Sequence, residues 1–199
     1  MTGGREKAPA EDFLLKTRRL TMRPVALSDA PDLFRHYTAE IARYQYPAPY
    51  ADLSAAREMV RSLEQMRRNG EAADFVLLGS ETGFLGEACI FGLKGDFPEI
   101  GVWIRRDCWR QGFAGEALTA LLRRFAPAGY PAFRYEADCR NAASLSLAKR
   151  LGGILTGEDS YENQAGNLLE MQVYRIPAEP YLPKNLDGKE GIRKAEAAK

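Results

Sequence analysis

Ile100-Gly-Val-Trp-Ile-Arg-Arg-Asp-Cys-Trp-Arg-Gln-Gly-Phe-Ala-Gly-Glu-Ala-Leu-Thr-Ala-Leu-Leu-Arg-Arg-Phe-Ala126 reads as a strand, a turn and a helix, and that reading decides the fold. Ile100, Val102 and Ile104 alternate with Gly101 and Trp103, whereas Ala117, Leu118, Leu121, Leu122 and Phe125 recur at helical spacing. Between them lies Trp109-Arg-Gln-Gly-Phe-Ala-Gly115. A turn entering a helix aims several backbone N–H groups one way, and the helix dipole adds partial positive charge at the same place. The expected result is an anion site. Gly112 and Gly115 permit positive φ and let a bulky phosphate approach without meeting a Cβ, and Arg110 adds a cation at the rim. The same glycines would equally serve a turn whose role is only geometric.

Neither a P-loop, G-x-x-x-x-G-K-S/T, nor the dinucleotide pattern G-x-G-x-x-G is present. The stretch from Glu99 to Leu118 instead resembles the coenzyme A segment of the GNAT superfamily of N-acetyltransferases, whose core reads Gln/Arg-x-x-Gly-x-Gly/Ala. Gly112 and Ala114 fill the last two defined positions, and Trp109 stands where Gln or Arg is commonest. The ribosomal-protein N-terminal (RimJ/RimL-like) acetyltransferase branch often carries Trp there, followed by a Glu-Ala-Leu helix as at Glu116 to Leu118.

The outer bounds agree with a small-molecule or protein partner. A chain of 199 residues suits one domain with tails. Its formal charge of +1 offers no electrostatic footprint for nucleic acid or an anionic membrane. Cys89, Cys108 and Cys139 are odd in number and lack metal-ligand spacing, which suits a reducing compartment. No apolar run approaches the ~20 residues that span a bilayer, and the polar start is unlike a signal peptide, so a cytoplasmic protein is expected, monomer or homodimer.

Residues 1–12 read as a loose lead-in, 13–176 as the domain and 177–199 as a polar tail rich in Pro, Gly and charge. Leu20, Met22 and Val25 mark a first strand. Ser28 offers an N-cap to a helix whose apolar stripe is Leu33, Phe34, Tyr37 and Ile41, and the lone His36 has no second ligand beside it. Arg43 to Tyr50 then joins two helices. Its Tyr44, Tyr46 and Tyr50 suit either an acceptor-site wall or a packed loop. Asp52 or Ser54 caps the next helix, with Met59, Val60, Leu63 and Met66 on one face.

Phe75–Leu78 and Phe84–Leu93 read as a hairpin ahead of the central strand. Phe133, Tyr135, Ala137 and Cys139 alternate with charged residues as a half-buried strand. Asn141 caps a short helix through Ser144, Leu145, Ala148 and Leu151, stopped at Gly152-Gly153. Two further strands flank a polar turn from Glu158 to Asn167, the second running from Leu168 to Tyr174. This order is α+β.

The resemblance extends from Leu15 to Ile176, since the family's Asn-x-x-Ala/Ser and Leu-Gly-Phe are matched by Asn141, Ser144 and Leu151-Gly152, with Gly153 in place of Phe. It implies a single domain with a mixed, mostly antiparallel sheet flanked by helices and splayed between the strands ending near Ile104 and Cys139. It also implies that acetyl-coenzyme A lies in this gap against the backbone of Val102 and Ile104, its phosphates on the turn from Trp109 through Arg110, Gln111, Gly112, Phe113 and Ala114 to Gly115. Asn141 and Ser144 would face the coenzyme, Lys149 or Arg150 would reach its phosphates, and a strand N–H near Trp103 would meet the oxyanion. No metal is implied. The acceptor would be an amine, on a small molecule or a protein N-terminus.

Acetyl transfer needs a base for the amine and a fate for the thiolate. Glu99 at the start of the central strand is the first candidate base and Glu87 the second, each also readable as a structural charge. Glu116 already has a dipole reason to sit in the first turn of a helix. The family often carries a Tyr as acid where this chain has Ala148, leaving Ser144, Ser146, Tyr161 or water. A coenzyme-binding module with reduced catalysis is therefore the alternative, and no acidic cluster in the sequence argues for a polycationic acceptor.

Overall fold

A computed structural model describes residues 14–164 and 166–183, so the expected lead-in at 1–12 and most of the expected tail lie outside the described residues. β1 (Leu15–Lys16), β2 (Leu20–Pro24), β3 (Ala72–Gly79), β4 (Gly83–Phe91), β5 (Glu99–Ile104), β6 (Ala132–Asp138), β7 (Ile154–Glu162) and β8 (Leu168–Pro177) form one sheet in the order β1-β2-β3-β4-β5-β6-β8-β7. All neighbours run antiparallel except β5 and β6. These two are parallel and meet at a single register pair, Glu99 with Arg134, where the Arg134 amide donates to the Pro98 carbonyl at 2.9 Å. Among the described residues no further pairing joins them, so the sheet opens from there toward Ile104 and Asp138. The expected splay is present.

The helices are α1 (Ala30–His36), α2 (Ala39–Ala42), α3 (Leu53–Arg68), α4 (Phe113–Phe125) and α5 (Ala142–Arg150). Period-two alternation sends Phe75 and Leu77 of β3 to one face and Val76 to the other. The first face packs on α4 and α5 through Leu118, Leu121, Leu122, Phe125 and Leu147. Full burial of such side chains contributes about 1.5–3 kcal/mol each. The second face packs under α1 to α3 through Leu33, Ile41, Val60 and Leu63, with Phe84 and Trp103 from the sheet.

Several boundaries depart from the sequence reading. The helix expected from Ser28 is a 3-10 turn (Leu27–Asp29) followed by α1 and α2, and Asp29 rather than Ser28 precedes α1. Asp29 takes both terminal nitrogens of Arg23, at 2.7 and 2.6 Å, and the Ala26 amide at 2.9 Å, which fixes the start. The helix breaks at Tyr37, whose hydroxyl donates to the Pro47 carbonyl at 2.9 Å. Phe34 is left exposed. The hairpin begins at Ala72 because the buried backbone of Ala72 to Asp74 needs ladder partners, found at Phe91 to Cys89. β7 continues to Glu162 where a polar turn was expected, being an edge strand with nearly all its side chains in solvent. The chain also stays on the domain past Pro177: Ala178 is buried and the Tyr181 hydroxyl donates to the Leu151 carbonyl at 2.9 Å.

Candidate active site

The turn before α4 is shaped by backbone conformation. Gly112 caps the helix at φ +82°, and Arg110 takes φ 62° without the freedom of glycine. Gly115 corrects the sequence reading, because it lies inside α4 rather than at positive φ. What its missing side chain provides is proximity: a Cβ there would lie 3.5 Å from Leu147 of α5. Arg110 and Gln111 are exposed, Phe113 is buried and Ala114 half-buried. The Trp109 indole N–H donates to the Ile104 carbonyl at 2.5 Å, and Arg106 covers its ring at 4.5 Å. This seats the turn on the end of β5.

Sequence reasoning missed the residues that hold this turn from the other side. Arg19 donates from Nη1 to the Gln111 carbonyl at 2.9 Å and from Nε to Glu116 at 2.7 Å, and lies 4.4 Å over the Phe113 ring. Thr17 and the Arg19 amide donate to the other Glu116 oxygen at 2.5 and 2.9 Å. Burial alone would raise the Glu116 carboxyl, but these hydrogen bonds outweigh it and hold it below its usual range. No local signal marks this cluster, since Thr17 and Glu116 are 99 residues apart.

On the α1 to α3 side of the sheet, reaching into the splay, lies a cavity of about 610 Å³. Among the sequence-derived candidates it is lined by Glu87, Glu99, Val102, Trp103, Asn141 and Ser144 and by Tyr44, Tyr46 and Tyr50. Ile104, the Trp109 to Gly115 turn and Lys149 are not part of its wall; Lys149 is exposed on α5. The cavity also collects Asp74, Tyr135, Glu136 and Tyr161. Four carboxylates from four strands thus share one space, although the sequence shows no acidic cluster. That expectation is corrected by the register that aligns β3 to β6.

The acids differ in environment. Glu87 accepts from the Trp103 indole N–H at 3.0 Å, and its carboxyl is pushed up to about 7, by burial first, against that hydrogen bond and with the charge of Asp29 adding. Glu99 is pushed up to about 7 by burial and by Glu136, with Arg134 opposing. The Arg134 Nε lies 3.4 Å from Glu99, and the same guanidinium pairs with Glu136 and, at 3.6 Å, with Asp159. Asp74 is 2% exposed, and its Oδ2 has no hydrogen-bond partner among the described residues. Burial and the neighbouring Glu87 push its carboxyl well up. Leaving such an atom unpaired costs about 1–3 kcal/mol.

At the splay, Asn141 caps α5 by accepting from the Ser144 amide at 3.2 Å. Tyr135 of β6 is 3% exposed and lines the cavity with Ser144; burial raises its phenol, with Ser144 opposing. Ala148 is fully buried in the α4–α5 core. Of the residues weighed as acids, Ser144 and Tyr161 line the cavity, whereas Ser146 accepts from Arg150 at 2.7 Å. Gly153 stands in place of the family's Phe, and in this backbone an added Cβ would lie 2.8 Å from the Ala148 carbonyl. Among the described residues no group of three His, Cys, Asp or Glu is placed to hold a metal, and His36 stacks on Phe84 at 5.6 Å.

A family model described as the acetyltransferase (GNAT) domain matches residues 19–154. An uncharacterized N-acetyltransferase p20 from Bacillus licheniformis is 27% identical over 84% of this chain and 97% of its own length. RimJ from Mycobacterium smegmatis, solved with a coenzyme A disulfide, superposes with a TM-score of 0.75 at 19% identity, over 86% of this chain and 90% of that one. A Salmonella typhimurium acetyltransferase that modifies the N-terminal serine of ribosomal protein L7/L12 gives 0.71 at 19% identity, over 83% and 99%.

Proposed function

Because the chain belongs to the GNAT acetyltransferase domain family, we propose that it moves an acetyl group from acetyl-coenzyme A directly to a primary amine, in the manner of the RimJ/RimL branch and in the cytoplasm. The observation that carries this is the split sheet, with the Gly112 turn at the end of β5 and a carboxylate-lined cavity on the other face of the opening. Acetyl-coenzyme A enters as a substrate. Its phosphates meet the N-terminus of α4, where Gly112 presents no Cβ, and its thioester reaches the cavity between β5 and β6. The RimJ structure with a coenzyme A disulfide supports this assignment.

The acceptor nitrogen loses a proton to Glu99 and attacks the thioester carbonyl; the C–S bond then breaks, and the sulfur takes a proton. A carboxyl near 7 is suited to the first step at neutral pH. For the second, Tyr135 supplies the phenol that Ala148 does not, since it lines the cavity at the splay beside Ser144. The N-terminal serine substrate of the Salmonella protein supports a protein N-terminus as one acceptor class, beside a small amine. The second reading, a coenzyme-binding module with reduced catalysis, draws on Ala148 and Gly153.

Calorimetric titration with acetyl-coenzyme A, coenzyme A and ATP, followed by thiol release with an amine panel, tests this. Micromolar binding of the first two, worth about −8 kcal/mol, with thiol release is the expected result. Binding without release from any amine leaves the second reading, and absence of binding removes both.

A further inference from the structure

The acceptor cavity gathers more carboxyl groups than one amine can answer. Asp74, Glu87, Glu99 and Glu136 line it, and among the described residues no Lys or Arg does. Arg134 serves Glu99, Glu136 and Asp159 from the side. Asp74 and Glu87 have no such partner, and Oδ2 of Asp74 makes no hydrogen bond among the described residues despite near-complete burial. A buried carboxyl left in this state is a site awaiting a donor.

The register sets the distance that an occupant has to bridge. Asp74 pairs with Cys89, and Cys89 with Gly101, in one row across β3, β4 and β5, while Glu99 lies two residues before Gly101 on the same face. Strands ~4.8 Å apart with a rise of ~3.4 Å per residue put the Asp74 and Glu99 Cα atoms roughly 12 Å apart. The row between them holds only a cysteine and a glycine, and a Cβ on Gly101 would lie 2.8 Å from the Cys89 sulfur. Tyr37, Tyr50 and Trp103 also line the cavity, with ring faces suited to a cationic chain.

We propose that the acceptor is an aliphatic di- or polyamine held at both ends, its distal ammonium at Asp74 and its reacting amine at Glu99. This rests on the acetyltransferase reading above. A monoamine answers Glu99 and leaves Asp74 unpartnered, whereas a peptide backbone offers amide N–H donors but no cation. The second ammonium supplies the missing donor to Asp74 and the cation that Asp74 and Glu87 lack.

The test compares spermidine, n-butylamine and a serine-initiated peptide by kcat/KM from thiol release, with wild-type protein and Asp74→Asn. Spermidine is expected to exceed butylamine at least about tenfold, and Asp74→Asn to bring the two values together. Equal values in the wild type, a higher value for the peptide, or a preference that survives Asp74→Asn would each overturn the proposal. If Asp74→Asn does not fold, the wild-type ratio decides alone. If coenzyme binds but no amine releases thiol, the acetyltransferase reading has failed separately. Spermidine titration into the coenzyme A complex then decides: binding retains the anchor, and no binding removes it.

Discussion

Arg19 donates from Nε to Glu116 at 2.7 Å, which ties the segment leading into β2 to the first turn of α4. The same guanidinium holds the Gln111 carbonyl, so the edge of the sheet fixes the shape of the turn before α4. Arg19→Ala should therefore weaken coenzyme A binding about tenfold, with Arg19→Lys recovering part of the loss. Calorimetry reads this directly; an unchanged affinity would mean that the turn holds its own shape. With Arg19 about one-third exposed, the pair's effect on stability stays at or below about 1 kcal/mol. Since the Glu116 carboxyl is lowered, that contribution is present above the ordinary carboxylate range and lost as pH falls through the lowered value.

Glu99 pairs with Arg134 at the vertex of the splay, and burial pushes its carboxyl up to about 7. As a base it works only when ionised, so turnover should rise with pH through about 7 and then level. Glu99→Gln should lower kcat by about 100-fold or more at neutral pH while the coenzyme dissociation constant stays put. A pH profile shared by wild type and variant would assign Glu99 a structural role.

Tyr135→Phe isolates the proton given to sulfur. A fall in kcat of about 10- to 100-fold, with KM for the acceptor and coenzyme affinity little changed, is the expected split. Rescue of the rate by an acyl donor whose thiolate leaves more easily would support the assignment, and wild-type turnover in the variant would exclude it.

Glu87 is buried, and its carboxyl at about 7 stands above the ordinary 4.5. A raised carboxyl binds its proton more tightly in the folded state, so the Glu87 contribution to stability is greatest below about 4.5 and is lost as pH rises through about 7. Glu87→Gln should remove a pH-dependent loss on the order of 1–3 kcal/mol. Urea unfolding at about pH 5 and about pH 8 measures it; a variant that loses as much stability as wild type across that interval contradicts the account.

Asp74 sets stability against binding. Asp74→Leu should raise unfolding free energy by about 1–3 kcal/mol, because it removes an unpaired buried oxygen and a like-charge neighbour of Glu87. Thermal unfolding that shows destabilisation instead would place an unseen partner on Asp74.

Much of the fold was legible because it follows from local chemistry. The alternation at Ile100 to Ile104, the helical spacing of Ala117 to Phe125, the Asn141 cap and the Gly152 stop each depend on neighbours within a few residues. The family pattern supplied the splay. The break at Tyr37 was not legible, because it turns on a hydrogen bond to Pro47 that forms only after the chain has folded back. β7 was read short because an edge strand exposed to water needs no apolar alternation.

By itself, then, the sequence determined the central strand, turn and helix and the family to which they belong, since those are properties of contiguous residues. Tertiary structure alone decided the company each side chain keeps. Thr17 and Arg19 meet Glu116, Tyr135 meets Ser144, and Asp74, Glu87, Glu99 and Glu136 converge on one cavity only because the register across β3 to β6 aligns residues far apart in the chain. A shift of one residue in that register would send the carboxylates to the opposite face, so the acidic cavity is a property of the sheet and not of any segment in it.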